Sequence, residues 1–170
     1  MTGMSWWMTA CSPPCTVTPK DATVSVSPGA TAVNWPACAA NVPPSAAGDE
    51  LSIGSFAVTV HGTEHAVIHP DIPVIPNVGY LINGSLYHPG DAYYVPEVPV
   101  SVLLLPTSGP WMKIREAADY VRAVRPQQIV QIHEMLLSDI GLHLASNLLG
   151  EQGLTGLPLT VVPAGESLTV

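Results

Sequence analysis

The segment GYLINGSLYHPGD, residues 79–91, decides the fold of this chain. Its two apolar stretches, Gly79–Asn83 and Ser85–His88, meet at an Asn-Gly turn, which is the strongest short signal for a β-hairpin. Upstream, Leu51–His61 alternates apolar and polar side chains, as a half-buried strand does. Downstream, Val100–Leu105 is a continuous apolar run, which is typical of a buried strand. The hairpin is therefore predicted to lie inside a β-sheet.

The chain after this sheet segment shows the patterns of two helices and three strands. One predicted helix begins behind Ser108 and is stopped by Pro126. A second extends from Met135 to Leu149, with apolar side chains at helical spacing. The predicted strands, of which the last two form a hairpin, are Ile129–Ile132, Leu159–Val162 and Ser167–Val170. This order predicts an α/β (α+β) fold, a mixed sheet with helices on one face.

The composition changes near residue 46, and this change divides the chain. Residues 1–46 contain all three cysteines, three of the four tryptophans and only two charged residues, and prolines interrupt them repeatedly. Such a composition fits neither a solvated linker nor a packed core, so we expect this segment to be poorly ordered or foreign to the domain that follows. Residues 47–170 are expected to form the folded domain. The cysteines lack a Cys-x-x-Cys pair and indicate neither a zinc knuckle nor a disulfide framework.

The charge and hydropathy of the chain exclude several classes of partner. A formal net charge of −8 comes with only five Lys and Arg residues, too few for a surface that binds nucleic acid. No apolar run approaches the roughly 20 residues that span a bilayer, and the N-terminus lacks the basic and apolar regions of a secretion signal. We therefore expect a cytoplasmic protein without a membrane or nucleic-acid partner. The low charged share, 11%, fits either abundant buried β-structure or a surface that something else covers.

Three polar residues stand at the ends of predicted strands. His65 follows the first strand, Asp91 follows the hairpin, and His133 follows Ile129–Ile132. Imidazole nitrogen and carboxylate oxygen are ligand types that zinc takes in hydrolytic sites. Taken separately, each has an ordinary explanation, because a histidine after a strand is usually a surface residue and Gly-Asp is common turn chemistry. Their occurrence together, with the right strands between them, favours a metal site.

These segments resemble the metallo-β-lactamase superfamily, in its branch of broad metal-dependent, lactonase-like hydrolases. The resemblance rests on four linked motifs: Gly-x-x-His ending at His65, Tyr-His-x-Gly-Asp ending at Asp91, Pro-x-x-x-x-Trp ending at Trp111, and Ile-His ending at His133. It covers the chain from about Gly48 onward. It implies the C-terminal part of an αββα sandwich.

The resemblance also implies a role for each histidine and carboxylate that matches a motif. His65, Asp91 and His133 correspond to metal ligands of a centre with up to two zinc ions, and Asp91 corresponds to the carboxylate that bridges them. His69 and His88 are candidates for residues that orient the ligands. No catalytic residue is assigned.

The family's His-x-His-x-Asp-His motif does not occur in these 170 residues. We therefore expect an incomplete domain that binds zinc weakly or not at all, with little hydrolysis of a phosphate ester, a lactone or a similar small substrate. Homo-oligomers are expected through apolar sheet surface that the other half of the sandwich would cover. One alternative is a non-catalytic α/β interaction or structural module that has lost its metal site. Another is a product of an altered reading frame with no independent function.

Overall fold

The structure, a computed structural model, describes residues 23–27, 30–33, 45–163 and 166–170. Within these residues the chain forms a three-stranded sheet, a seven-stranded sheet and two helices. The strands are β1 Thr23–Ser27, β2 Ala30–Val33, β3 Glu50–Ile53, β4 Phe56–His61, β5 Gly79–Ile82, β6 Leu86–His88, β7 Val102–Pro106, β8 Gln128–Ile132, β9 Leu159–Thr160 and β10 Ser167–Thr169, and the helices are α1 Ile114–Val124 and α2 Asp139–Leu149.

The seven-stranded sheet is mixed, as predicted, with the order β3-β4-β5-β6-β7-β8-β9. Strands β3 to β6 pair antiparallel, whereas β6 to β9 pair parallel. Because β5 is antiparallel to both neighbours, β4 runs in the same direction as β6, and β7 and β8 share that direction. The carboxyl ends of β4, β6, β7 and β8 therefore meet at one edge of the sheet, which is where ligands bind in open α/β sheets.

Both helices pack on the same face of the seven-stranded sheet, which confirms the predicted arrangement. Ala117, Ala118 and Val121 of α1 share a buried cluster with Leu149 of α2 and Leu103 of β7. Burial of such apolar side chains is the main term that holds the helices on the sheet. Among the described residues, no helix combines the length and the apolar character needed to cross a bilayer.

The opposite face of this sheet is also buried. Val58, Leu104 and Val130 are between 0% and 1% exposed, and Leu168 and Val170 pack against their cluster. The expected exposure of apolar sheet surface therefore does not hold for these side chains, because the segment of β10 lies against them.

The exposed apolar surface instead includes a stripe along α2. Ile140 is 80% exposed, Leu144 54% and Leu148 36%, whereas Ala145 and Leu149 are buried. We call Ile140, Leu144 and Leu148 the α2 stripe. Apolar spacing along the sequence correctly predicted the helix, but the face that packs on the sheet is the one that carries Ala145 and Leu149.

Two predicted elements begin or divide differently in the structure. Leu51–His61 forms two strands, β3 and β4, because Gly54 adopts a φ of 61° in a tight turn that pairs the two halves. The first helix begins at Ile114 rather than behind Ser108, because Lys113 is still extended, with φ −128° and ψ 139°.

The second helix and the last two strands also differ from the prediction. Helix α2 begins at Asp139 instead of Met135, because the Ser138 hydroxyl caps it by accepting from the backbone N–H of Gly141 at 3.3 Å. The predicted C-terminal hairpin is wrong, since β9 pairs parallel with β8 and β10 pairs antiparallel with β1. Apart from β1, β2 and residues 45–46, the segment 1–46 lies outside the described residues, and its expected character stays a prediction.

Candidate functional site

His65, Asp91 and His133 meet at the carboxyl edge of the seven-stranded sheet, and we call them the His–Asp–His cluster. Oδ1 of Asp91 lies 3.0 Å from Nε2 of His133, and Oδ2 lies 3.7 Å from Nε2 of His65. The side chains are 13% exposed at His65, 45% at Asp91 and 34% at His133, so the cluster opens to solvent. The structure thus brings together the three residues that were predicted as metal ligands.

The turn that carries Asp91 is held by the side chain of Asn77. Its Oδ1 accepts from the backbone N–H of Asp91 at 2.9 Å, and its Nδ2 donates to the carbonyl of Pro89 at 3.0 Å. Gly90 between them has a φ of 70°, and a Cβ at that position would run into the Asn77 side chain. The glycine therefore allows both the turn and the close approach of Asn77.

His65 is oriented by its own backbone neighbour. Its Nδ1 lies 2.6 Å from the carbonyl oxygen of Ala66, and since a carbonyl only accepts, Nδ1 carries the proton. Nε2 is then unprotonated in the neutral ring and faces Asp91, which is the tautomer that a metal ligand needs. Trp111, itself 6% exposed, contacts the rings of both His65 and His133 edge-on, at centroid distances of 6.1 Å and 6.4 Å.

His133 follows β8 in an unusual backbone conformation, with a φ of 60°. Its carbonyl accepts from the hydroxyl of Ser108, in the loop that follows β7. The carbonyl of Ile132 accepts from the backbone N–H of Thr107 at 3.0 Å and from its hydroxyl at 3.2 Å. The Thr107 hydroxyl in turn accepts from Nε2 of Gln131 at 2.7 Å. This end of β8 is therefore fixed to the end of β7.

The charges within the His–Asp–His cluster shift the pKa of two groups in opposite directions. The hydrogen bond from His133 lowers the pKa of Asp91, although partial burial opposes this. The hydrogen bond to Asp91 raises the pKa of His133, again against the effect of burial. Asp91 is thus an anion at neutral pH, and its charge favours a protonated neighbour or a metal cation.

The two histidines predicted to orient the ligands lie in different surroundings. Nδ1 of His88 accepts from the backbone N–H of Gly90 at 3.0 Å, which places this imidazole against the Asp91 turn. Burial lowers the pKa of His88 to about 4, so the ring is neutral. His69 is 60% exposed and contacts Asp71, whose backbone N–H donates to Nδ1 of His69 at 3.1 Å. The structure therefore brings His88, but not His69, to the turn that carries Asp91.

A cavity of about 290 Å³ lies at the base of the loop that leads to His65. Its lining includes the side chains of Glu50, Thr59, His61 and Tyr94. His61 is held there by a hydrogen bond to the hydroxyl of Thr59 at 3.0 Å. The volume is close to the lower limit of small-molecule sites.

The donor atoms of the cluster fit zinc in kind but are too few for two ions. Two imidazoles and one carboxylate are suitable ligands, and a zinc ion takes four protein ligands in most structural sites and three in most catalytic sites. Divided between two ions, the cluster gives each ion one imidazole and a share of one carboxylate. Among the described residues, no group of three or more His, Cys, Asp or Glu side chains is arranged to hold a metal ion. The described residues therefore do not form a complete two-metal centre.

Sequence reasoning missed Asn77, Thr107 and Ser108, which form hydrogen bonds with the backbone at or next to Asp91 and His133. All three act on the backbone of a neighbouring segment, through bonds that join residues 14 to 25 positions apart. The one signal in the sequence is a short polar side chain next to a strand end, which ordinary turns also show.

Comparison with known proteins identifies a family. Residues 19–133 match the family model of the Beta-lactamase superfamily domain. The chain is similar in fold to Igni18, a novel metallo hydrolase from the hyperthermophilic archaeon Ignicoccus hospitalis KIN4/I, with a TM-score of 0.52 and 19% sequence identity. That alignment covers 74% of this chain and 59% of the other.

Two relatives are similar in sequence over part of their length. Protein Rv0786c of Mycobacterium tuberculosis (strain ATCC 25618 / H37Rv) is 50% identical over 96 residues, covering 54% of this chain and 45% of that protein. UPF0173 protein PF0020 of Pyrococcus furiosus (strain ATCC 43587 / DSM 3638 / JCM 8422 / Vc1) is 37% identical over 94 residues, covering 51% of this chain and 42% of that protein. The matched segment thus spans less than half of the length of either relative.

Proposed function

This chain belongs to the beta-lactamase superfamily, and we propose that it is a metal-dependent hydrolase by lineage that carries part of a two-metal centre. The residues proposed as zinc ligands are His65, Asp91 and His133. The observation that supports them is the position of the Asp91 carboxylate, with one oxygen facing each Nε2 atom at 3.0 Å and 3.7 Å. Such a carboxylate would supply oxygen ligands beside the two imidazole nitrogens. The proposed substrate is a small phosphate ester or lactone, and the proposed compartment is the cytoplasm.

The same cluster predicts that the activity of this chain by itself is low. Two-metal hydrolases hold a hydroxide between their cations, and both cations must be firmly bound for that. Three donor groups shared between two ions leave each ion short of protein ligands. We therefore propose weak zinc binding and little hydrolysis by this chain.

Zinc titration of EDTA-treated protein by calorimetry tests the ligand assignment. We expect binding in the micromolar range or weaker for the unmodified chain, and none for the Asp91→Asn variant. His143→Ala is the matched control, because His143 lies on the exposed side of α2. Equal binding by Asp91→Asn would refute the assignment. Tight binding of two ions, or rapid hydrolysis of p-nitrophenyl phosphate or a simple lactone, would refute the proposal of a partial centre.

The alternative function is a non-catalytic interaction module. The observation that favours it is the α2 stripe, because exposed apolar side chains at helical spacing are a common feature of contact surfaces. This alternative is supported if zinc neither binds nor raises the Tm of the chain while the fold is intact by circular dichroism. A rise in Tm with zinc that Asp91→Asn abolishes would contradict it.

A further inference from the structure

The backbone of His133 has a conformation that is uncommon for residues other than glycine. Its φ of 60° lies in the left-handed region, where a side chain with a Cβ is sterically disfavoured. Residues in this region persist where surrounding contacts impose the conformation, and they cluster at functional sites. The carbonyls of Ile132 and His133 both receive such contacts.

Among the described residues, the hydrogen bonds to these two carbonyls come from the two residues that follow β7. Ser108, which is 5% exposed, donates its hydroxyl proton to the carbonyl of His133. Thr107, which is 1% exposed, donates both its backbone N–H and its hydroxyl to the carbonyl of Ile132. Because β7 and β8 are adjacent parallel strands, these bonds join two strand ends that are already side by side.

The left-handed conformation decides where the imidazole of His133 lies. An extended residue after β8 would continue the strand, and its side chain would follow the alternation of the pleat. At a φ of 60° the strand instead ends, and Nε2 of His133 lies 3.0 Å from Oδ1 of Asp91. Without the bond from Ser108, the carbonyl of His133 loses the partner that fixes this turn.

We propose that Ser108 is a positioning residue: its hydroxyl holds His133 in the left-handed conformation and thereby places the imidazole against Asp91. Thr107 supports it by fixing the preceding peptide. This inference rests on the proposed function, because it concerns the placement of a proposed zinc ligand. Loss of a residue that orients a metal ligand typically weakens metal binding roughly 10- to 100-fold.

The first measurement is free of metal, so that it does not depend on zinc binding. Long-range ¹H–¹⁵N spectra of the histidine side chains in EDTA-treated protein report whether the Nε2 proton of His133 is hydrogen-bonded. We expect that signal in the unmodified chain and in Ser108→Thr, which keeps the hydroxyl. We expect its loss in Ser108→Ala. Ser108→Cys, which keeps the size of the side chain with a weaker donor, should give a weakened signal and serves if Ser108→Ala does not fold.

The second measurement is zinc affinity by calorimetry in the same variants. Ser108→Ala should bind zinc roughly tenfold more weakly than the unmodified chain, and Ser108→Thr should restore the affinity. Ser138→Ala is the matched control, because it also removes a serine hydroxyl that bonds to backbone, at the start of α2. It should lower the Tm and leave the His133 signal and the zinc affinity unchanged.

The two measurements separate the failure of this inference from the failure of the proposed function. If the unmodified chain binds no zinc but Ser108→Ala still removes the His133 signal, the proposed function fails and the positioning role stands. If Ser108→Ala and Ser108→Cys keep both the signal and the affinity, the positioning role is refuted. Absence of the signal in the unmodified chain would refute it as well, because the bond from His133 to Asp91 would then not exist.

Discussion

The side chain of Asn77 offers the sharpest test of how the candidate site is built. It bridges Asp91 and Pro89 through two hydrogen bonds, of 2.9 Å and 3.0 Å, and so closes the turn around Gly90. Replacing it in Asn77→Ala removes both bonds and leaves the N–H of Asp91 without this acceptor. The turn is then held by its remaining contacts, which include the bond from the N–H of Ala66 to the carbonyl of Asp91 at 2.9 Å and the bond from the N–H of Gly90 to Nδ1 of His88 at 3.0 Å.

The size of the effect follows from those two bonds. A hydrogen bond within a protein contributes about 0.5–1.5 kcal/mol net, so Asn77→Ala should lower the free energy of unfolding by roughly 1–3 kcal/mol. In urea the slope of that free energy is typically about 1–3 kcal/mol per molar for a small protein. A loss of free energy near the middle of the first range, divided by a slope near the middle of the second, lowers the urea concentration at the midpoint of unfolding by roughly 1 M.

The assay is urea unfolding of EDTA-treated protein, followed by far-ultraviolet circular dichroism. Asn147→Ala on the exposed face of α2 is the control, and we expect its midpoint to be unchanged or slightly higher, since alanine favours helices. The reasoning is refuted if Asn77→Ala unfolds at the same urea concentration as Asn147→Ala.

Three other features give predictions with direct measurements. The pKa of His133 is raised in the folded state, so the contribution of this group to stability is present at low pH and is lost as the pH rises through the folded-state pKa. The pKa of Asp91 is lowered in the folded state, so the contribution of this group is present at higher pH and is lost as the pH falls through the folded-state pKa. The metal-free pair of Asp91 and His133 should therefore stabilise the chain most between roughly pH 4 and 6.5. The contribution should be at most about 1 kcal/mol, because both side chains are partly exposed. In urea unfolding, Asp91→Asn should remove this pH dependence. Gly79→Ala should lower the free energy of unfolding by about 1–3 kcal/mol, because the new Cβ would lie 2.8 Å from Cζ of the fully buried Tyr87. An unchanged midpoint of urea unfolding would contradict this close packing of Gly79 against Tyr87. The unmodified chain should self-associate with concentration through the α2 stripe, and Leu144→Gln should reduce that association in sedimentation velocity with little change in Tm.

Local patterns in the sequence predicted most of the sheet. The Asn-Gly turn is the best example, because both Asn83 and Gly84 adopt positive φ, as a type I′ hairpin turn requires. The division of Leu51–His61 was missed because its alternation continues across Gly54, whose backbone alone reverses the chain. The pairing of β10 with β1 was missed because nothing in a short strand specifies a partner more than a hundred residues away.

The candidate site was predictable to the extent that it depends on strand ends. His65, Asp91 and His133 follow β4, β6 and β8, and these strands point the same way, so the sheet itself gathers the three side chains. The orientation of these three side chains could not be predicted from the sequence. It depends on hydrogen bonds from Asn77 and Ser108 to backbone atoms, and the same side chains in an ordinary turn would look no different in the sequence.

This construction also explains how an ordered cluster can exist without a complete metal centre. The cluster depends on one sheet, on the turn that Asn77 closes and on the loop that carries Ser108, and all of these lie within residues 45–163. In a metal centre the cations hold the ligands against the mutual repulsion of their polar groups. Here the anionic carboxylate of Asp91 supplies that attraction to His133, whose Nε2 lies 3.0 Å from Oδ1 of Asp91. The cost is that a zinc ion must displace the bond between His133 and Asp91, and this competition, together with the small number of donors, is the physical reason to expect weak binding.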